Sequence, residues 1–164
     1  MTADSLALPR DHSPTGGLLR AALKLDALVT GANAVAYLAV AGPLADLLGV
    51  PSGALRAIGA FLAVFAAGVW GVAVRPVPNP AAVSAIVAAN VAWAAGSLVA
   101  LALDAWSPTT VGAIWIVLQA VTVALFAALQ VAGYLDASRL RRSSSASVAS
   151  SNPINPVSTS PARR

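Results

Sequence analysis

The chain has no cysteine and no glutamate, and only one histidine and one methionine; each shortage removes a class of chemistry. Without Cys there is no disulfide framework, no thiolate metal site and no redox dithiol. His12 lies in a polar leader and the single methionine is Met1, so a buried haem or copper has no axial ligands and a metal centre is not expected. Charge is also scarce. Only 10% of the residues are charged, against about 25% in soluble domains. The residues that replace them are apolar: 58% of the 164 are hydrophobic and the mean hydropathy is +0.78, more apolar surface than a soluble core of this length could hide.

What is present is long uncharged runs. Pro76 to Leu103 holds 28 residues without a charged side chain, and 18 or more apolar residues in a row read as a membrane-spanning helix. Three further runs match it: 19 uncharged residues between Asp26 and Asp46, 18 between Arg56 and Arg75, and 31 between Asp104 and Asp136. These predict an all-α integral membrane four-helix bundle with helices at about 18–42, 53–74, 80–103 and 108–135. Residues 1–17, with Pro9, Pro14 and Gly16-Gly17, read as a flexible cytoplasmic leader. Residues 136–164, rich in Ser, Pro and Arg, read as a disordered basic tail.

Helix ends carry their own signals. Asn79 is placed to cap the third helix with Pro80 at its first position, where a missing N–H costs nothing. Ser52 is expected to cap the second helix, and Ser107 followed by Pro108 to open the fourth. Pro43 to Gly53 reads as a compact external turn.

Orientation follows from the bases. With four crossings, Arg10, Arg20, Lys24, Arg75, Arg139, Arg141, Arg142, Arg163 and Arg164 share one side and Arg56 alone takes the other. The positive-inside rule then puts both termini in the cytoplasm. The preference for Arg over Lys, together with abundant Ala, fits a GC-rich bacterial genome, so the expected location is a bacterial inner membrane. Arg139, Arg141 and Arg142 follow the last span, where they hold the terminus inside and meet lipid headgroups.

Polar residues inside the spans are few. Asn33, Asn90 and Gln119 fall at similar depth in the central slab and are expected to point inward, since an amide facing lipid leaves its hydrogen bonds unmade. Two readings follow: structural glue between helices, or a polar pocket for a ligand or lipid headgroup. Asp26 and Gln130 are placed toward the inner face, and Asp26, close to Lys24 at the predicted boundary, reads as half of a solvated ion pair. On the second helix Gly59, Ala63, Ala67 and Gly71 recur every four residues, a strip that suits close helix approach or dimerisation.

A faint repeat relates Asn33 and Asn90, each followed 18 residues on by a proline, Pro51 and Pro108. It would make helices one and two a parallel duplicate of helices three and four. The L-x-x-D-A stretch at Leu23 to Ala27, the L-G-V-P turn at Leu48 to Pro51 and the third helix with Asn90 and Trp93 resemble small four-helix bacterial integral membrane proteins of uncharacterised function. The likeness covers about 18–135, leaves both tails outside, and implies a fold but no activity, catalytic residue or cofactor. The chain differs from four-span small multidrug transporters in having no Glu for the first helix.

With no intramembrane His, Cys, Glu or Lys to act as base or nucleophile, an enzyme is not expected. The leading expectation is a non-enzymatic membrane protein, an assembly partner or subunit, whose partners are the lipid bilayer and another membrane protein or a second copy, with no nucleic acid. The alternative is a small transporter or ligand-binding module built on Asn33, Asn90 and Gln119.

Overall fold

The computed structural model describes residues 14–151, which form five α-helices and, among the described residues, no strand. They are α1 (Pro14–Ala39), α2 (Ala41–Leu48), α3 (Ser52–Ala73), α4 (Pro80–Ala102) and α5 (Thr110–Ser151). Most of the predicted leader and the last part of the predicted tail lie outside the described residues, as do Arg10, His12, Arg163 and Arg164. Three helices, α3, α4 and the first part of α5, are long and apolar enough to cross a membrane; α1 and α2 together make a fourth if the bent pair is one span.

The bend in that pair has a local cause. Pro43 has no N–H to give the Ala39 carbonyl, and a proline ring clashes with the carbonyl four residues back, so α1 ends at Ala39. The chain turns through 99° at Val40, and α2 lies across the end of the bundle instead of continuing the span. The turn predicted at 43–53 is therefore largely a short helix. Gly49 closes it in the left-handed region, with φ 70°, where its N–H reaches the Ala45 carbonyl at 2.9 Å.

Caps decide the other boundaries. Asn79 accepts from the Ala81 N–H at 2.9 Å with Pro80 at the first helical position, as the sequence leads one to expect. Ser52 does not cap α3: it is the first residue of the helix, and Pro51 precedes it with no side-chain cap. At α5 the cap is Thr109 and not Ser107. Thr109 Oγ1 accepts from the Gly112 N–H at 3.1 Å, whereas Ser107, at φ 47°, turns its hydroxyl toward Asp104. Thr109 also donates its hydroxyl to the Leu47 carbonyl at 2.7 Å and its N–H to the Leu48 carbonyl at 3.1 Å, so one residue closes the end of α2 and the start of α5. Thr109→Val is accordingly expected to cost about 2 kcal/mol, at the upper end for a lost cap, while Thr109→Ser stays near wild type; thermal unfolding in a fixed detergent measures both.

α5 runs on to Ser151, so 136–151 is helical where the sequence suggests disorder. A helix already nucleated extends cheaply, and no proline interrupts it before Pro153. Ser138 and Ser143 turn their hydroxyls back to the carbonyls of Tyr134 and Arg139, which keeps them compatible with the helix. Arg139 and Arg142 stand exposed on this extension; the side chain of Arg141 lies outside the described residues.

Seen down the bundle, α1 packs along α3 and α5, and α4 packs along α5. α1 and α4 are diagonal neighbours whose backbones do not meet, and α3 touches α4 at only a few points. The ring of helices is thus closed on three sides and slack on the fourth. One apolar cluster, with Leu19, Leu23, Val69, Ala73, Val83 and Ile86, fills the end that carries Arg20 and Arg75; a second, with Ala34, Tyr37, Leu48, Val50, Leu55 and Leu62, fills the α2 end. Large apolar side chains, among them Val64, Ile114, Val121 and Leu125, cover the outside, while Asp26, Thr30, Asn90 and Gln130 are buried. Polar inside and greasy outside is the distribution a lipid solvent selects.

The small-residue strip on α3 does not act as one surface. Gly59 packs into α1, and a Cβ there would meet Tyr37 and Leu38 at 3.0 and 3.1 Å, whereas Ala63, Ala67 and Gly71 face outward. Four residues exceed one turn by about 40°, so a row repeated every four winds off the buried face. The face that packs is Leu55, Gly59, Leu62, Ala66, Val69 and Ala73.

Candidate functional site

Asp26 sits near the middle of α1 and is fully buried. Lys24 is two residues away, about 200° round the helix, and so cannot share its side of α1. Instead of a solvated ion pair, Asp26 is held by three neutral donors. Thr30 Oγ1 donates to Oδ1 at 3.1 Å, while Asn90 Nδ2 and Gln130 Nε2 donate to Oδ2 at 2.7 and 2.8 Å. Asn90 Nδ2 also approaches Gln130 Oε1 at 3.4 Å. The amide orientations follow from the acid: a carboxylate only accepts, so both N–H₂ groups must face it. This cluster joins α1, α4 and α5, and it spans the diagonal where the α1 and α4 backbones do not meet.

Arg20 fixes the level of the bundle end. Its guanidinium donates to the carbonyls of Arg75 and Pro76 at 3.2 and 3.0 Å, which ties the α3–α4 link to α1. Asp26 lies six residues farther along α1, about 9 Å deeper. The sequence suggests a solvated boundary position for it, and the structure buries it within the bundle instead.

A second polar layer lies 11 residues along α1 from Asp26, about 16 Å away and three turns on, so it is on the same face. Here the Tyr37 hydroxyl oxygen accepts from Trp115 Nε1 at 2.8 Å and from Gln119 Nε2 at 2.9 Å. Gln119 and Gln130 are also 11 residues apart on α5, so the two layers are matched rungs of the antiparallel pair α1 and α5.

Between the layers is a cavity of about 250 Å³ whose walls include Asn33, Asn90 and Gln119, the three amides singled out from depth alone. They do not bond one another. Asn90 is committed to Asp26 and Gln130, Gln119 to Tyr37, and Asn33 makes no side-chain hydrogen bond among the described residues. The two asparagines matched by the repeat are thus used differently. Phe61, Phe65, Trp93 and Trp115 supply the aromatic wall, and Thr30 and Thr122 add hydroxyls. An adjoining cavity of about 430 Å³ shares Trp93, Trp115 and Gln119 with the first and reaches Leu48, Val50 and Trp106 at the α2 end. Both lie against the slack α3–α4 side, where Phe61 stacks on Trp93 with ring centroids 5.6 Å apart.

Thr30, Asn33 and Tyr37, spaced three and four apart, read from sequence as one polar face of the first helix met by a neighbouring helix, and Tyr37 is so met by α5. The roles of Trp115 and Phe61 gave no signal in the sequence. Among the described residues no charged side chain lines either cavity, and no three His, Cys, Asp or Glu side chains come together. Comparison with known protein families, curated proteins and solved structures gives no match for this chain.

Proposed function

We propose that this protein is a non-enzymatic, multi-pass protein of a bacterial cytoplasmic membrane that takes a small amphiphilic molecule from the bilayer into the space between its helices, as a small transporter or ligand-binding module. The observation that carries the reading is the cavity walled by Asn33, Asn90, Gln119, Phe61, Trp93 and Trp115. Together with its neighbour it falls in the size range of small-molecule sites, apolar with a few fixed polar groups. Glue alone would have closed the amides on each other, whereas Asn33 is left to face the void. Entry from lipid is supported by the few contacts between α3 and α4, bridged by the Phe61–Trp93 stack.

The bundle is oriented in this reading by its bases. Arg20, Lys24 and Arg75 gather at one end, with Arg139 and Arg142 beyond it on α5, an asymmetry that supports cytoplasmic termini under the positive-inside rule. A second reading, a subunit docking on another span or a second copy, is supported by the outward row of Ala63, Ala67 and Gly71.

Filling the cavity tests the first reading. Ala89 lines it, and Ala89→Phe adds a ring to existing space, so the fold is retained. The neutral fluorophore N-phenyl-1-naphthylamine is expected to bind the detergent-solubilised wild type saturably and to lose at least tenfold in affinity in Ala89→Phe. Equal, non-saturating uptake by both would reduce the cavity to a packing defect.

A further inference from the structure

The geometry points to a positively charged ligand: the cavity between α1, α3, α4 and α5 is built for a lipophilic cation, an ammonium or amidinium carried on an apolar body. This rests on the cavity being a ligand site and goes on to the chemistry of what fills it.

Several of the protons lining the cavity are already committed. Thr30 gives its only hydroxyl proton to Asp26, and Thr122 gives its own to the Leu118 carbonyl at 2.8 Å. Asn90 directs its amide N–H groups at Asp26 and Gln130, and Gln119 directs one at Tyr37. All four residues line the cavity, and what they retain for a ligand is mainly oxygen lone pairs. Asn33 is the one lining amide with both its donors and its acceptor uncommitted among the described residues. Trp93 Nε1 and one Gln119 N–H are also uncommitted among the described residues, so the lining offers five side-chain oxygens against N–H groups on three residues, a balance that favours a guest that donates or carries positive charge.

Asp26 sets the sign more firmly. It lies one side chain behind the lining, bonded to both Thr30 and Asn90, and every donor it meets is neutral. The nearby bases make no ion pair with it among the described residues: Arg20 donates to the Arg75 and Pro76 carbonyls, and Lys24 points to another side of α1. From the other elements packed around the cluster, α4 brings no charged residue at all. α3 contributes only Arg56 near one end and α5 only Asp136 and the bases beyond it. A carboxylate inside a low-dielectric bundle attracts a cation over a longer range than in water. The aromatic wall has the same preference: Phe61, Phe65, Trp93 and Trp115 line the cavity, and a ring face open to it carries negative quadrupole density that attracts a cation. An anion meets the opposite of each of these features.

The test uses two probes of related shape and different charge, tetraphenylphosphonium and the neutral triphenylphosphine oxide. Binding to the full chain in neutral-detergent micelles is read by equilibrium dialysis, with empty micelles subtracted. The wild type is expected to bind the phosphonium at least tenfold more tightly than the oxide, and in Asp26→Asn that preference shrinks to within a factor of about two. Equal affinities for the two probes in the wild type, or an undiminished preference in Asp26→Asn, overturn the inference. If Asp26→Asn does not fold, the wild-type comparison decides alone. The outcome separates from that of the cavity itself: saturable N-phenyl-1-naphthylamine binding without cation preference removes the charge assignment and leaves the site.

Discussion

Asn90→Leu is expected to destabilise the bundle by about 3 kcal/mol, among the largest effects of any single polar replacement in the chain. Two magnitudes compete here. Hydrogen bonds between neutral groups in membrane bundles average only about 0.6 kcal/mol, because the separated helices find other partners. Removing one partner of a buried charge costs about 3–5 kcal/mol, because the charge remains without its donor. Asn90 belongs to the second case: its Nδ2 is 2.7 Å from the Asp26 carboxylate, the shortest of that group's three bonds. It is also the direct side-chain link across the diagonal between α1 and α4, whose backbones make no contact.

The same logic predicts strong non-additivity. Gln130→Leu alone also strands Asp26, whereas the triple replacement Asp26→Leu, Asn90→Leu, Gln130→Leu removes donors and acceptor together and is expected to recover most of the lost stability. Thermal unfolding followed by circular dichroism in one detergent gives the series. A loss under about 0.6 kcal/mol for Asn90→Leu would mean that Asp26 finds water or another donor from the adjoining cavity and that the cluster is no more than ordinary helix glue.

The parts of the fold that were legible from sequence are those governed by solvent and by local caps. The uncharged runs give the apolar helices because lipid admits no charge, and Asn79-Pro80 starts α4 because that pair satisfies a helix end by itself. Depth alone brought Asn33, Asn90 and Gln119 to one cavity. Residues whose role depends on a partner distant in sequence were illegible. Asp26 reads as a boundary charge until Asn90 and Gln130, 64 and 104 residues away, are seen to satisfy it. Thr109 is a weaker cap than Ser107 on local grounds, and it prevails because the carbonyls of Leu47 and Leu48 also need donors. The α3 strip divides between two surfaces, Gly59 against α1 and Ala63, Ala67 and Gly71 facing outward, because a row repeated every four residues winds round the helix.

Gly112→Ala is expected to cost 3 kcal/mol or more, at about the upper limit for overpacking, although it adds a single methyl group to a helix that intrinsically prefers alanine. Gly112 is the third residue of α5 and lies against the last turn of α2. A Cβ there would press into the carbonyl oxygen of Leu48, with the carbonyl carbon at 2.8 Å and the Leu48 Cα at 3.1 Å. These are backbone atoms, so no rotamer change relieves the contact. Nor can α2 simply retreat, because Thr109 holds its Leu47 and Leu48 carbonyls and the 99° bend leaves it no continuous helix to slide along. Gly68→Ala is the matched control. It is helical and has nothing within 4 Å of its Cβ position, so the same change is expected to raise stability by about 0.5–1 kcal/mol. If unfolding midpoints show Gly112→Ala as stable as Gly68→Ala, α2 is loosely seated, and the larger cavity it helps to close at Leu48, Val50 and Gly112 is open from that end.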